Sequence, residues 1–73
     1  MQRITFSLDL STGQCEKYYA GRVRYVQVQS DDGRQVRFPA RALLPYIGHD
    51  GVYGRFVLQL DASNRLIALD RLA

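Results

Sequence analysis

The chain has 73 residues, of which ten are basic and seven acidic, and its formal net charge is +3. At this length we expect one domain, residues 1–73, with a thin core, because such a chain buries only roughly 60% of its unfolded surface. One cysteine excludes an intrachain disulfide, and one cysteine with one histidine cannot supply the four ligands of a structural zinc site. We therefore expect no metal and, because no P-loop or dinucleotide fingerprint matches the sequence, no cofactor.

The same composition indicates a compartment and a class of partner. A lone cysteine, and an N-terminus that alternates apolar and polar residues instead of forming an apolar signal segment, favour a reducing cytoplasm. No apolar run approaches the roughly 18 residues of a transmembrane helix, so we expect no membrane partner. Nine of the ten basic residues are Arg, whose planar fork suits phosphate, so the charge permits an anionic partner.

The first predicted elements are a strand over residues 3–10 and a short helix over residues 12–20. The strand is indicated by Ile4, Phe6, Leu8 and Leu10, which alternate with polar residues. Ser11 and Gln14 have the spacing of a helix capping box, and Gly21 suits the helix C-terminus. The helix face predicted to cover the sheet consists of Cys15, Tyr18 and Tyr19.

A β-hairpin is predicted next. Its first strand lies within residues 22–30, and because the apolar residues change face there, the strand either starts near Tyr25 or contains a bulge. Pairing Val28 with Val36 keeps both side chains on the core side of the hairpin. That register leaves a three-residue loop ending at Gly33, where a left-handed conformation is required.

The centre of the chain is predicted to be a compact connector between two strands. The third strand covers residues 34–38, and residues 39–44 form one short helix or 3₁₀ turn that Pro45 stops. Residues 48–51 are expected to form a tight loop. Four apolar residues are expected to close one end of the sheet: Leu43, Leu44, Tyr46 and Ile47.

The last two strands are predicted over residues 54–61 and 65–72, with a turn at Ser63-Asn64. In the fourth strand the inward residues are Phe56, Leu58 and Leu60, and the outward residues are Arg55, Val57 and Gln59. The expected register pairs Leu60 with Ile67 and Leu58 with Leu69. The buried face of the final strand is left open.

These elements follow the order β-α-β-β-turn-β-β. Because most of the strands are joined by hairpins or other short connections, the sheet should be mainly antiparallel. A short sheet with several strands curls or closes to protect its edges. The predicted fold is therefore α+β and mostly β, a strongly bent five-stranded sheet or a small open barrel with one short helix.

The outer face of this predicted sheet carries the leading functional hypothesis. Its residues are Tyr25, Gln27, Gln29, Gln35, Arg37, Arg55, Val57 and Gln59, among which the candidate ligand or partner face is Tyr25, Gln27, Arg37, Arg55 and Gln59. Arg contacts phosphate, Gln reads base edges and Tyr stacks on bases, although Arg and Gln are also ordinary residues of a solvated strand. We expect a small non-catalytic binding or regulatory module, with RNA or single-stranded DNA as its ligand.

The central loop supplies two alternatives, and its candidate functional residues are Tyr46, His49, Asp50 and Tyr53. The first is a protein-interaction or homo-oligomeric module, such as a homodimer, that uses this loop and the outward residues Val57, Leu66 and Leu72. The second is an enzyme in which Asp50 orients His49 as a general base. No nucleophile is predicted beside them, so we favour a turn and expect no catalytic residue.

The central motif also resembles a known family. From residue 38 to residue 56 the chain has F-P-A-R-A-L-L-P-Y-I-x-H-D-G-V-x-G-R-F, and S-L-D-L, K-Y-Y-A-G, S-D-D-G-R and L-D-R-L fit the same family. The sequence is similar to small, uncharacterised gammaproteobacterial proteins of about this length, known as a domain of unknown function. The resemblance implies a bacterial cytoplasmic protein and implies no activity, ligand or catalytic residue.

Overall fold

The structure is a computed structural model and describes residues 1–72, so the final position of the predicted domain, residue 73, lies outside the described residues. Its elements are β1 (Gln2–Leu10), α1 (Thr12–Tyr19), β2 (Tyr25–Gln29), β3 (Gln35–Pro39), 3₁₀ turns at Ala40–Ala42 and Leu44–Tyr46, β4 (Val52–Leu60) and β5 (Leu66–Arg71). The protein is therefore a small α+β chain made mostly of strands.

The strands form two antiparallel sheets, one with the order β1-β4-β5 and one containing β2 and β3. The predicted five-stranded sheet or small open barrel is therefore wrong, since residues 1–72 form neither. β1 pairs along its whole length with β4 and does not pair with β2. The tip of the hairpin meets the middle of β1, where the Asp31 N–H donates to the Thr5 carbonyl at 2.9 Å.

An aromatic cluster explains why two sheets replace one. The ring of Phe6 on β1 has its centroid 5.8 Å from that of Phe38 on β3 and 6.0 Å from that of Phe56 on β4. All three side chains are fully buried. Strands of both sheets therefore contribute rings to one shared core, which suits a chain too small to build two separate cores.

Helix α1 begins with the predicted capping box. The Gln14 N–H donates to Ser11 Oγ at 3.3 Å, and the Ser11 N–H donates to Gln14 Oε1 at 2.9 Å. Cys15 is fully buried and Tyr18 is half-buried, but Tyr19 is 56% exposed, so the predicted three-residue face is wrong at its last member. The reason is that the helix packs against the first 3₁₀ turn and β1, and not across a continuous sheet.

The β2–β3 hairpin has the predicted register. Val28 pairs with Val36, and Gly33 has φ of 87° at the end of the three-residue loop. β2 begins at Tyr25, which selects the late start over the bulge. The connector that follows contains two consecutive 3₁₀ turns instead of one, and Pro45 lies inside the second turn.

The final strands differ from the prediction in two ways. Val57 lies between Thr5 and Asp70 on the face that points away from the aromatic cluster, as predicted, but it is only 3% exposed. A register shift between Gln59 and Leu60 pairs Leu60 with Leu66 instead of Ile67, whereas Leu58 faces Leu69 as predicted. Leu69 is consequently buried and Ile67 is 52% exposed.

Candidate functional site

The outer face of the β2–β3 hairpin is polar because its residues alternate with the valines and Phe38 that enter the core. Its members are Tyr25, Gln27, Gln29, Gln35 and Arg37, all exposed. Gln27 lies opposite Arg37, and its Nε2 donates to Gln35 Oε1 at 3.0 Å. The register of the hairpin therefore brings three of the predicted ligand residues, Tyr25, Gln27 and Arg37, onto one face.

Tyr25 and Arg37 form the central pair of this face. The guanidinium carbon of Arg37 lies 5.0 Å from the centroid of the Tyr25 ring, within the range of a cation–π contact. The ring is nonetheless accessible, since Tyr25 is 51% exposed. A guanidinium that stacks on a ring keeps N–H groups in its own plane, where they remain suited to a phosphate oxygen.

Arg55 and Gln59, the other two predicted ligand residues, belong to the three-stranded sheet. Arg55 donates to the Asp31 carboxylate at 2.7 Å and to Ser7 Oγ at 2.9 Å. The same carboxylate accepts a hydrogen bond from the Thr5 hydroxyl at 2.6 Å. The side chain of Arg55 is therefore engaged in joining the hairpin tip to the other sheet, and the predicted face is divided between two surfaces.

The electrostatics of the hairpin tip follow from these contacts. Hydrogen bonds from Arg55, and secondarily from Thr5, lower the pKa of Asp31 from 3.8 to about 2, and the pKa of Arg55 rises in turn. The Ser30 hydroxyl and then Arg34 lower the pKa of Asp32. Both carboxylates are thus ionised at neutral pH, and each is matched by an arginine near it.

A groove of about 410 Å³ adjoins the hairpin face. It lies between the C-terminal end of α1, the segment leading into β2 and the first 3₁₀ turn. Its lining residues are Tyr18, Gly21, Val23, Arg24, Tyr25, Pro39, Ala40, Arg41 and Leu44. The lining is aromatic, aliphatic and basic without an acidic side chain, and Tyr25 belongs to both the groove and the hairpin face.

Among residues 1–72, no acidic side chain forms an ion pair with the arginines of the groove and the hairpin face. In residues 1–72 the ion pairs within 4.0 Å are Arg22–Glu16, Arg34–Asp32 and Arg55–Asp31. Arg24 and Arg41 in the groove, and Arg37 on the hairpin face, form none of them. The positive charge of this side of the molecule is therefore left uncompensated by the described side chains, an arrangement that attracts anions.

Backbone hydrogen bonds hold the walls of the groove together. The Ala40 N–H donates to the Arg24 carbonyl at 2.8 Å, and the Val23 N–H donates to the Lys17 carbonyl at 3.1 Å. Gly21, with φ of 78°, turns the chain out of the helix. The groove arginines are thus carried on segments whose backbone positions are set by the fold.

The groove was not predicted from the sequence, although the register of the β2–β3 hairpin indicates that its two arginine-bearing segments lie side by side. The pairing of Val28 with Val36 continues to Tyr25 opposite Pro39. Extending it by one more residue places Arg24 opposite Ala40, beside Arg41, and the Ala40–Arg24 hydrogen bond shows this continuation.

The central-loop residues do not form one cluster. The Tyr46 hydroxyl donates to the Leu69 carbonyl at 2.6 Å, and its ring meets Phe56 edge-on at 5.3 Å, so Tyr46 caps the core. His49 and Asp50 are exposed at the tip of a turn closed by hydrogen bonds between Gly48 and Gly51, and Tyr53 is exposed on β4. Tyr46 thus differs from the other three predicted loop residues, since its side chain is half-buried in a core contact and theirs are exposed.

These observations define a small α+β protein with two antiparallel sheets, and none of the helices formed by residues 1–72 has the length and apolar character needed to cross a membrane. The family described as "Protein of unknown function (DUF2835)" matches residues 2–72, and the chain belongs to this family. The match confirms the resemblance seen in the central motif at the level of a domain of unknown function. No curated protein and no solved structure matches the chain.

Proposed function

We propose that the protein is a small, non-catalytic binding module that contacts RNA or single-stranded DNA through the outer face of the β2–β3 hairpin. The observation that carries this proposal is the stack of Arg37 on the exposed ring of Tyr25, on a face whose residues include no acid. An arginine and an aromatic ring together supply the two contacts that an unpaired nucleotide requires, one to phosphate and one to the base.

The neighbouring amides add a weaker, base-directed contact. Gln27 and Gln35 are exposed on the same face as Tyr25 and Arg37, and their amide groups can both donate and accept hydrogen bonds. Bases in a duplex have their faces covered by neighbours, whereas unpaired bases offer both faces and edges. We therefore assign a single-stranded ligand to this face, with stacking as the main contribution.

The proposal includes a bacterial cytoplasmic setting. It is supported by Cys15, which is a free buried thiol in a chain that has no second cysteine. The gammaproteobacterial origin rests on the likeness of the central motif. Within this setting the protein acts by binding, and we assign a regulatory role to it.

The test is fluorescence anisotropy with labelled single-stranded RNA and DNA of mixed sequence at low salt, followed by a salt titration. We expect binding that weakens with salt, with a logarithmic slope of about 0.7 for each phosphate neutralised on a single strand. Arg37→Gln should remove about one phosphate contact and so reduce that slope by about 0.7. Arg65→Gln removes the same charge from an exposed position on the β4–β5 turn and is the matched control.

The stacking contribution is tested separately with two tyrosines. Stacking on an aromatic side chain contributes roughly 1–3 kcal/mol per base, so Tyr25→Ala should weaken binding about tenfold. Tyr53→Ala removes another exposed tyrosine, on β4, and should leave the affinity unchanged. Absence of binding by the folded protein at low salt, or equal losses in the two tyrosine variants, would reject the proposal.

A second candidate function is self-association along β5. This strand is at the edge of the three-stranded sheet, and Ile67 on it is 52% exposed. Unpaired strand edges with apolar side chains are sites where chains associate. Light scattering at high concentration checks this candidate: a dimer that Ile67→Lys dissociates would support it, and a monomer would reject it.

A further inference from the structure

We infer that the groove beside Tyr25 is a nucleotide subsite, which takes one base against its tyrosines and the attached phosphate on Arg24 and Arg41. This inference rests on the proposed function, since it names where one nucleotide of a bound strand sits. It assigns a site to residues that the hairpin face does not include.

The dimensions and position of the groove suit a small ring-bearing ligand. Its volume of about 410 Å³ falls at the lower end of the roughly 300–1,000 Å³ typical of small-molecule sites. It opens directly beside the hairpin face, because Tyr25 lines both. A strand that stacks on Tyr25 therefore has the groove within reach of its next nucleotide.

The apolar part of the lining indicates a planar, partly apolar ligand. Val23, Tyr25 and Leu44 are each more than one-third exposed, and all of them line this groove. Large apolar side chains that converge on a concave surface are typical of a binding site. A nucleobase in the groove would cover this apolar lining and stack on Tyr18, while Tyr25 holds the preceding nucleotide on the hairpin face.

The charged part of the lining indicates that this ligand carries an anion. Arg24 and Arg41 line the groove, and in the described part of the chain neither has an ion-pair partner. Their guanidinium groups are matched in geometry to phosphate oxygens. A free anion would leave the tyrosines unused, and an uncharged apolar ligand would leave the arginines unused. A base joined to a phosphate uses both.

The groove is arranged before any ligand arrives. The Ala40–Arg24 backbone hydrogen bond at 2.8 Å ties the segment bearing Arg41 to the segment bearing Arg24. Fixed backbone positions lower the ordering cost that a ligand has to offset.

The first experiment is an amide chemical-shift titration of the full chain with adenosine monophosphate, uridine monophosphate, adenosine and inorganic phosphate, each added separately. We expect the monophosphates to shift the amides of residues 21–25 and 40–44. They should bind about tenfold more tightly than adenosine or phosphate, because the base and phosphate contacts act together. Arg24→Gln and Arg41→Gln should weaken this binding, and Arg65→Gln should not. Inorganic phosphate that binds as tightly as the monophosphates would reduce the groove to an anion site and overturn the inference.

The second experiment separates the groove from the hairpin face. The same variants are titrated with the labelled single strands, and circular dichroism verifies that each is folded. If Tyr25→Ala and Arg37→Gln weaken strand binding but Arg24→Gln and Arg41→Gln do not, the subsite is rejected and the proposed function stands. If the monophosphates shift the groove but no strand binds, the proposed function is rejected and the groove remains a site for free nucleotides.

Discussion

Arg55, in the central strand of the three-stranded sheet, donates to the carboxylate of Asp31 at the tip of the hairpin that forms the other sheet. The same carboxylate accepts from the Thr5 hydroxyl, and the Asp31 N–H donates to the Thr5 carbonyl. One residue therefore connects the hairpin to both β1 and β4. This junction is exposed, so its contribution is sensitive to salt and pH.

Asp31→Asn should lower the melting temperature. The substitution keeps the shape of the side chain but removes the charge that holds Arg55, and the hairpin tip loses its ionic contact with β4. Thermal unfolding followed by circular dichroism measures the effect, with Asp9→Asn, an exposed acid on β1, as the control. A melting temperature equal to that of the control would show that the junction contributes nothing to stability.

Stability should fall in acid because of the same residue. The pKa of Asp31 is about 2 in the folded chain and has an ordinary value of 3.8, so the unfolded chain takes up the proton first as the pH falls. The stabilisation is complete above about pH 4 and is lost between about pH 4 and pH 2; the lowered pKa of Asp32 acts in the same direction. Urea unfolding across this range should give a shallower pH dependence for Asp31→Asn than for the unsubstituted chain, and parallel profiles would contradict the assignment.

Gly51→Ala should be strongly destabilising. A Cβ atom at this position would lie 2.0 Å from the Leu10 carbonyl oxygen, and the residue has φ of 108°. Both the clash and the left-handed backbone disfavour alanine, so we expect a loss of more than about 2 kcal/mol in the free energy of unfolding. Gly13→Ala in α1 is the matched control: its Cβ would meet Ser11 Oγ at 3.9 Å, an ordinary van der Waals contact, and we expect a gain of up to about 1 kcal/mol. Similar values for the two variants in urea unfolding would contradict this account.

Tyr46→Phe should cost about 1 kcal/mol of stability and leave ligand binding unchanged. It deletes the hydroxyl that donates to the Leu69 carbonyl at 2.6 Å and retains the ring that packs on Phe56. Chemical unfolding measures the loss, and Tyr53→Phe is the control because that ring is exposed. A change in oligonucleotide affinity without a change in stability would show that Tyr46 acts at a binding site instead.

The sequence predicted the hairpin well because its determinants are local. Val28 and Val36 must both point into the core, and the residue at position 33 must adopt a left-handed conformation. Both conditions are set within a few residues of the turn, and only one strand register satisfies them. The capping box at Ser11 is local in the same sense. The polar hairpin face, with Tyr25 and Arg37 on it, followed from that register.

The division into two sheets was not predictable in the same way. Alternation in residues 3–10 shows which face of β1 is buried but carries no information on which strand lies beside it. The partner of β1 proved to be β4, from Gln2 opposite Leu60 to Leu10 opposite Val52, and this pairing is non-local. Because β4 was predicted to adjoin the hairpin, Arg55 and Gln59 were placed on the same face as Tyr25 and Arg37, whereas they belong to the other sheet.

The candidate site was predicted in part for a related reason. Tyr25 and Arg37 lie on a strand pair whose register was known. Arg24 and Arg41 lie just beyond the ends of that strand pair, and they come together only when its register is extended by one residue, to Arg24 opposite Ala40. The contact of Asp31 with Arg55 was not predicted. The Asp-Asp-Gly segment is already explained as a hairpin turn, and Arg55 lies on a strand that is distant in the sequence.

The burial of Cys15 provides the chain with its own reporter of local opening. Its thiol is fully enclosed, contacts the Leu10 carbonyl oxygen at 3.9 Å, and has a pKa that burial raises above the ordinary value. A thiol reagent therefore modifies this cysteine only when α1 moves away from β1 or the whole chain unfolds. Since the sequence has no second cysteine, the modification rate measures that event without an introduced label. A nucleotide held between the end of α1 and the first 3₁₀ turn should slow the modification.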